Sequence, residues 1–256
     1  MKPKAFLCDV WGVIHNGVKL YDDVLPFAEY CKKNDIKLIL FSNAPRITSV
    51  VSDFLSKTFG FEKDKHYFDI TTSGEVFIDT YKNLKDKKCF FIGEDKDLFM
   101  IDVIGAIKTD NINDVEFTLI TGEYCNEKDN QIVDILNDLK NKNIPAYCPN
   151  PDLSAHKNGV IMNCAGFVAE QYKNIGGTVI SCGKPYPQMY EYALNKFNLE
   201  KQDVIAIGDS LRTDIAGANT FGIESVMVLT GISKIEDIVD EKPTFIIKNL
   251  SEIYEN

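Results

Sequence analysis

The sequence predicts an α/β fold, a parallel sheet flanked by helices and interrupted by a smaller α/β unit, and three observations predict it. Short apolar runs alternate with segments whose apolar residues recur at helical spacing. Two of those runs, some two hundred positions apart, each stop on an aspartate, at Asp9 and Asp209. A charge-dense stretch, Lys85-Asp86-Lys87-Lys88, opens a second strand-rich series that closes at Gly176-Gly177 and a last strand, Thr178 to Ser181.

In chain order, Ala5 to Cys8 reads as a strand, and Asp9 sits at its C-terminal end, where open α/β sheets keep their ligands. Gly12 then lets the chain turn away. Taken alone, Asp9 reads equally well as a residue capping the turn. Val24 to Lys33 carries apolar residues at 24, 25, 27, 28 and 31, a helical pattern, and Ile36 to Phe41 is a strand again, which makes a βαβ unit with a right-handed crossover. Pro45-Arg46 is expected to open a helix with Val50, Val51, Phe54 and Leu55 on one face, and Ser73 to Tyr81 a further helix capped by Thr72 or Ser73.

The second series supplies strands at Cys89 to Ile92, Phe117 to Thr121, Ile144 to Cys148 and Val160 to Asn163. Helices are expected near Asn130 to Lys142 and Ala165 to Ile175. From Gly183 the first pattern resumes, with a helix at Pro187 to Phe197, a strand at Val204 to Ile207 and a helix at Thr213 to Phe221. Strands at Glu224 to Leu229 and Phe245 to Ile247 complete it. The expected division is therefore a core of residues 1–85 and 182–256 with residues 86–181 inserted.

Composition narrows the function. The net charge of −10 argues against nucleic acid, whose phosphates are bound by clustered Lys and Arg. Asp9 breaks the first apolar run too early for a secretory signal, and no stretch approaches the ~18–20 apolar residues of a membrane span. Seven cysteines, scattered and without a CxxC pair, read as reduced, mostly buried thiols of a cytoplasmic protein.

Four sites carry chemistry. Asp9 and Asp209 can meet at one sheet edge, where like charges call for a cation between them, and hard oxygen ligands suit Mg²⁺. Asp214, five residues after Asp209, reads by itself as a helix N-cap. Ser42-Asn43 ends the strand Ile36 to Phe41 and would suit a phosphate, or serve as an ordinary cap. Lys184, between Gly183 and Pro185, can balance carboxylates and a phosphoryl group, or be a surface lysine in a tight turn.

In order and placement these sites resemble the four motifs of the haloacid dehalogenase superfamily. They read Asp9-Val10-Trp11-Gly12-Val13, Phe41-Ser42-Asn43, Gly183-Lys184-Pro185, and Gly208-Asp209 through Asp214. The insertion resembles the α/β cap of class IIA, the 4-nitrophenylphosphatase-like and sugar-phosphatase-like enzymes, with Asn150-Pro151-Asp152 similar to a segment of those caps. The resemblance implies a Rossmann-like core with an α/β cap and a hydrolase acting on a phosphorylated small molecule through an aspartyl-phosphate. Asp9 would be the nucleophile, and Mg²⁺ would be held by Asp9, the backbone carbonyl of Trp11 and Asp209, with Asp214 in support. Ser42 and Lys184 would hold the transferring oxygens, and Asn43, Asn150 and Asp152 would face the leaving group. A cap can act as interface as well as lid, which leaves a homodimer open.

The chain departs from the family at Trp11, where the usual phosphatases carry a second Asp as general acid and base. An indole N–H cannot exchange a proton at neutral pH. Losing such a group typically forfeits ~10²–10⁴-fold in rate, roughly 3–5 kcal/mol. Three outcomes follow: His15, the nearest titratable group, substitutes; the substrate has a good leaving group; or the protein binds Mg²⁺ and a phosphometabolite without turnover. A lone His is more often structural, and His66 and His156 have no partners at metal-ligand spacing. The chain's two arginines, Arg46 and Arg212, flank the second and fourth motifs, within reach of an anionic substrate or simply solvated.

Overall fold

The computed structural model describes residues 2–122, 129–157 and 160–255. The chain opens with β1 (Ala5–Cys8), α1 (Val24–Lys33), β2 (Lys37–Ser42), α2 (Thr48–Phe59), β3 (Asp69–Thr72) and α3 (Ser73–Thr80). A second series follows: β4 (Lys88–Ile92), α4 (Phe99–Ile104), β5 (Ile107–Lys108), β6 (Phe117–Ile120), α5 (Asp129–Asn141) and β7 (Ala146–Cys148). It ends with β8 (Ser154–Lys157), β9 (Val160–Asn163), α6 (Ala165–Asn174) and β10 (Val179–Ser181). The chain closes with α7 (Pro187–Phe197), β11 (Val204–Gly208), α8 (Ala216–Phe221), β12 (Glu224–Val228), β13 (Phe245–Ile247) and α9 (Ser251–Tyr254).

The first and last series share one parallel sheet in the order β13-β12-β11-β1-β2-β3, and the middle series builds a second parallel sheet, β10-β7-β6-β4-β5. Strands β8 and β9 pair antiparallel as a separate two-stranded ribbon. The fold is therefore α/β with Rossmann-like parallel sheets. Alternation along the central strands explains why they are apolar throughout. Ala5, Leu7, Ile39 and Phe41 enter one hydrophobic cluster, whereas Phe6, Cys8, Leu38 and Leu40 enter the cluster on the opposite face. Helix α1 turns Val24, Phe27, Ala28 and Cys31 inward, the spacing of one helical face.

The two sheets share a core. Phe77 of α3 meets Tyr147 of β7 with ring centroids 5.8 Å apart, and Tyr147 in turn meets Phe117 of β6 at 5.7 Å. Thr72 caps α3 by accepting from Glu75 N at 3.2 Å. Ser73 Oγ instead lies within hydrogen-bond reach of both Ala44 O and Pro149 O, where its one proton is shared, tying the two parts together.

Some expectations need correcting. Helix α2 begins at Thr48, because Ile47 is extended, and Phe54 stays 41% exposed rather than joining Val51 and Leu55 in the core. The helix expected from Thr213 starts instead as a wide turn, Leu211–Ile215, in which Asp214 N and Ile215 N both donate to Ser210 O. Strand β3 and the short β5 were not expected, nor was β8 as the partner of β9. None of the six described cysteines is in a disulfide, and all but Cys164 are buried, while Cys125 and the His156 side chain lie outside what is described. No helix among the described residues is long and apolar enough to cross a membrane.

Candidate active site

The core sheet reverses its order between β1 and β11, since the chain leaves β1 for β2 on one side and returns to β11 on the other. That crevice, beyond the strand C-termini, is where Asp9 and Asp209 emerge. Asp9 N extends the ladder by donating to Ile207 O at 2.8 Å, which aims its carboxylate over the edge. Gly12 follows with φ +87°, a conformation that also keeps its α-carbon bare where a Cβ would collide with Asp209. A Cβ on Gly231, in the loop after β12, would collide with the same carboxylate, whose Oδ2 accepts from Ile232 N at 2.6 Å. Asp209 is thus cradled by bare backbone on two sides.

Lys184 is 2% exposed and donates from Nζ to Asp9 Oδ1 and to Asp214 Oδ1, both at 2.7 Å. Asp214 is not the helix cap: Ser210 Oγ fills that role by accepting from Thr213 N, while Asp214 Oδ2 accepts from Ser210 N at 3.1 Å. The wide turn swings Asp214 beneath Gly208, so that it holds Lys184 from behind the cavity. Asn43 sets the lysine's backbone. Its Oδ1 accepts from Lys184 N at 2.7 Å, and its Nδ2 donates to Lys184 O at 3.0 Å and to Asp152 Oδ1 at 2.9 Å. Asn150 Oδ1 in turn accepts from Asp152 N. The amide of Asn43 is committed to chain contacts, which gives it a positioning part. Ser42, 8% exposed, lies beside the carboxylates on the cavity wall.

Electrostatically the cluster is short of positive charge. Burial pushes the Asp9 carboxyl up to about 7, with Asp214 raising it and Lys184 opposing. Burial, then the charges of Asp9 and Asp214, pushes Asp209 up as well. Burial works against the Lys184 charge, but Asp214 and Asp9 hold its pKa above the ordinary value. One ammonium faces four carboxylates, counting Asp152, and oxygens of Asp9, Asp209 and Asp214 lie within 4.8 Å of one another. An all-oxygen, negatively charged cradle of this kind fits a hard divalent cation.

Comparison with known proteins agrees with this geometry. A haloacid dehalogenase-like hydrolase family model matches residues 6–106, and a second, HAD-hydrolase-like model matches residues 181–253. The chain belongs to the haloacid dehalogenase-like hydrolases. It is 26% identical over 255 residues to the ribonucleotide monophosphatase NagD of Escherichia coli K12, covering 99% of each chain. It is 24% identical to an acid sugar phosphatase of Staphylococcus epidermidis, covering 97% of this chain and 95% of that one. A haloacid dehalogenase-like hydrolase structure from Brucella suis 1330 superposes with TM-score 0.85 at 26% identity, over 96% of this chain and 95% of the other. Both named relatives, NagD and the acid sugar phosphatase, are phosphatases.

Trp11 is half-buried on the cavity wall with its ring edge-on to His15, centroids 4.9 Å apart. His15, the expected substitute acid, is packed among aromatic rings. It is 2% exposed, stacked on Phe59 at 4.8 Å, and its Nδ1 accepts from Gly17 N at 3.0 Å. Burial pushes it down to about 4, which favours the neutral imidazole at pH 7, and His15 is not among the described residues that line the cavity. Neither arginine is a free anion clamp: Arg46 pairs through Nε and Nη2 with Asp97, and Arg212 donates to Pro151 O at 2.8 Å. Both bind the core to the inserted segment.

The cavity, about 500 Å³, also contains residues that sequence reasoning missed, among them Glu94, Asp97, Thr121 and Gly231. Each follows a strand end or lies within a few residues of one. The signal available was a small or polar residue after an apolar run, as in Gly93-Glu94, Thr121-Gly122 and Thr230-Gly231.

Proposed function

We propose that this chain is a Mg²⁺-dependent phosphatase of phosphorylated small molecules that works through a phosphoaspartyl enzyme on Asp9. The observation that carries the reading is the Asp9–Lys184–Asp214 chain at the β1 edge. Lys184 engages one carboxylate oxygen of Asp9 at 2.7 Å and leaves the other for attack. That oxygen would bond to phosphorus as the bond to the leaving oxygen breaks, and the leaving group departs with the electron pair. Water then attacks the same phosphorus as the bond from Asp9 breaks, returning the Asp9 carboxylate and releasing inorganic phosphate, with the water's proton passing to the phosphate or to solvent.

The Lys184 ammonium favours the ionised nucleophile, and with Ser42 it holds the transferring oxygens, the positioning and charge stabilisation such transfers need. Asp9, Asp209 and the backbone carbonyl of Trp11, with Asp214 in support, would hold Mg²⁺, which would neutralise phosphoryl charge when bound. Asn43, Asn150 and Asp152 are assigned to setting Lys184 and bordering the leaving group. Residues 86–181 are assigned as a cap over a core of 1–85 and 182–256. The buried free thiols support a cytoplasmic setting.

Trp11 leaves the departing oxygen without a proton donor, and neutral His15 does not supply one. Turnover is therefore restricted to substrates whose leaving group departs readily as an anion. Assays across acyl, aryl and alkyl phosphates test this: the first two should be hydrolysed with Mg²⁺, alkyl esters slowly, and Trp11→Asp should raise the alkyl rate. Fast alkyl turnover by the wild type contradicts the role given to Trp11. Metal and phosphate binding without turnover of any of the three classes favours a non-catalytic binder.

A further inference from the structure

The turn after β1 and the loop after β12 are tied together by two side-chain hydroxyls. Tyr21, in the stretch between β1 and α1, donates to Thr230 O at 3.0 Å, and Thr230 Oγ1 donates back across the gap to Gly12 O at 2.6 Å. Gly12 is thereby held through both its polar backbone groups, since its N donates to His15 O at 2.9 Å. That matters at a glycine, which has the widest choice of backbone conformations and here sits at φ +87°. Tyr21 is anchored in its turn, its N donating to Ile14 O at 3.1 Å.

Strands β1 and β12 are not neighbours, because β11 stands between them in the sheet. No ladder bond can join the segments that follow them, and the two hydroxyl bonds supply the connection. They do so across Asp209, which follows β11. A Cβ on Gly12, or on Gly231 next to Thr230, would collide with the Asp209 carboxylate. One residue further on, Ile232 N donates to Asp209 Oδ2 at 2.6 Å, and Ser233 N donates to Asp209 O at 3.2 Å. The same β1 turn carries Trp11, whose carbonyl immediately precedes Gly12. Two of the groups assigned to the cation, the Trp11 carbonyl and the Asp209 carboxylate, thus depend on how closely these two segments are drawn together. Tyr21 and Thr230 both line the cavity.

We infer that Thr230 and Tyr21 are positioning residues for the cation site, closing the β1 turn and the β12 loop around Asp209 so that the Trp11 carbonyl and the Asp209 carboxylate are held in place before a cation binds. The inference rests on the Mg²⁺ site proposed above. A site ordered in advance loses less freedom on binding. Groups that orient metal ligands without touching the metal typically change affinity by about ten- to a hundredfold when removed.

The test is calorimetric titration of metal-stripped protein with Mg²⁺ alone, which requires no turnover. Thr230→Val keeps the shape of the side chain, loses the proton given to Gly12 O, and should weaken Mg²⁺ binding about tenfold. Thr230→Ser, which keeps the hydroxyl, should bind as the wild type does. Tyr21→Phe should weaken binding in the same direction, and it decides the matter alone if Thr230→Val does not fold. Tyr67→Phe is the control. It breaks a comparable contact, 2.7 Å between Tyr67 OH and Ser52 Oγ, at a residue that is not among those described as lining the cavity, and it should leave Mg²⁺ affinity unchanged. Unchanged affinity in Thr230→Val, or a loss as large in Thr230→Ser or Tyr67→Phe, overturns the inference and leaves the Mg²⁺ site standing. Wild-type protein that binds no Mg²⁺ overturns the site and the inference with it.

Discussion

Replacing His15 with Phe should remove a specific acid-sensitivity from the fold. The imidazole is 2% exposed, packed against Trp11, Phe54 and Phe59, and burial lowers it from its ordinary 6.5 to about 4. A depressed folded-state value means that the folded protein favours the neutral ring. This stability is fully present above pH 6.5 and is lost as pH falls through the window down to about 4. The unfolded chain takes up the proton first, so the loss amounts to about 2 kcal/mol by pH 5 and about 3 kcal/mol once both states are protonated. His15→Phe keeps an aromatic ring in the cage but loses the bond from Gly17 N, a pH-independent cost of about 1 kcal/mol. Urea unfolding of both proteins at pH 7 and pH 5, without added metal, isolates the effect, because the other titrating groups cancel in the difference. The variant should be the less stable at pH 7 and should close or reverse that gap at pH 5. Parallel stability at the two pH values would show that His15 titrates normally in the folded protein, and would reopen its candidacy as a proton carrier.

Other substitutions probe the joints of the site. Arg46→Met strands the Asp97 carboxylate, which is 3% exposed, and should cost about 3 kcal/mol. Adding Asp97→Leu should recover most of it in a double-mutant cycle read by urea unfolding, whereas a coupling below about 0.5 kcal/mol would mark the pair as an ordinary surface contact. Gly231→Ala places a methyl where the Asp209 carboxylate now lies. Calorimetric titration with Mg²⁺ should show weakened binding, and kcat should drop about 10²-fold, while unchanged metal affinity would argue that Asp209 is not a ligand. Asn43→Leu removes three hydrogen bonds around the Lys184 backbone and Asp152. It should lower kcat far more than Lys4→Ala, a change at an exposed pair elsewhere on the core.

Much of this architecture was legible in the sequence because its central strands are buried on both faces. Phe6 to Cys8 and Val204 to Ile207 read as unbroken apolar runs, so the aspartates that end them stood out. Lys184 was legible through its neighbours Gly183 and Pro185, which exclude a helix there. Elements were missed where polarity or length hides the pattern. Strand β3 carries Asp69, Thr71 and Thr72, and β5 is only Ile107–Lys108. The part played by Asn43 could not be read locally, since its partners lie 109 and 141 positions away. Thr121 and Gly231 owe their importance to which strands become neighbours, a property of the whole topology and not of any window of residues. His15 looked like a loop residue, and only the packing of Phe54 and Phe59 around it revealed a neutral, buried ring.

The most direct test of the account is to stop turnover midway and look for the covalent intermediate. Wild-type protein quenched in acid during steady-state hydrolysis of an acyl phosphate with Mg²⁺ should carry one phosphoryl group on the peptide containing Asp9, and Asp9→Asn should carry none and turn nothing over. Turnover that persists in Asp9→Asn, or a phosphoryl group found on another residue, contradicts the assignment of Asp9 as the nucleophile.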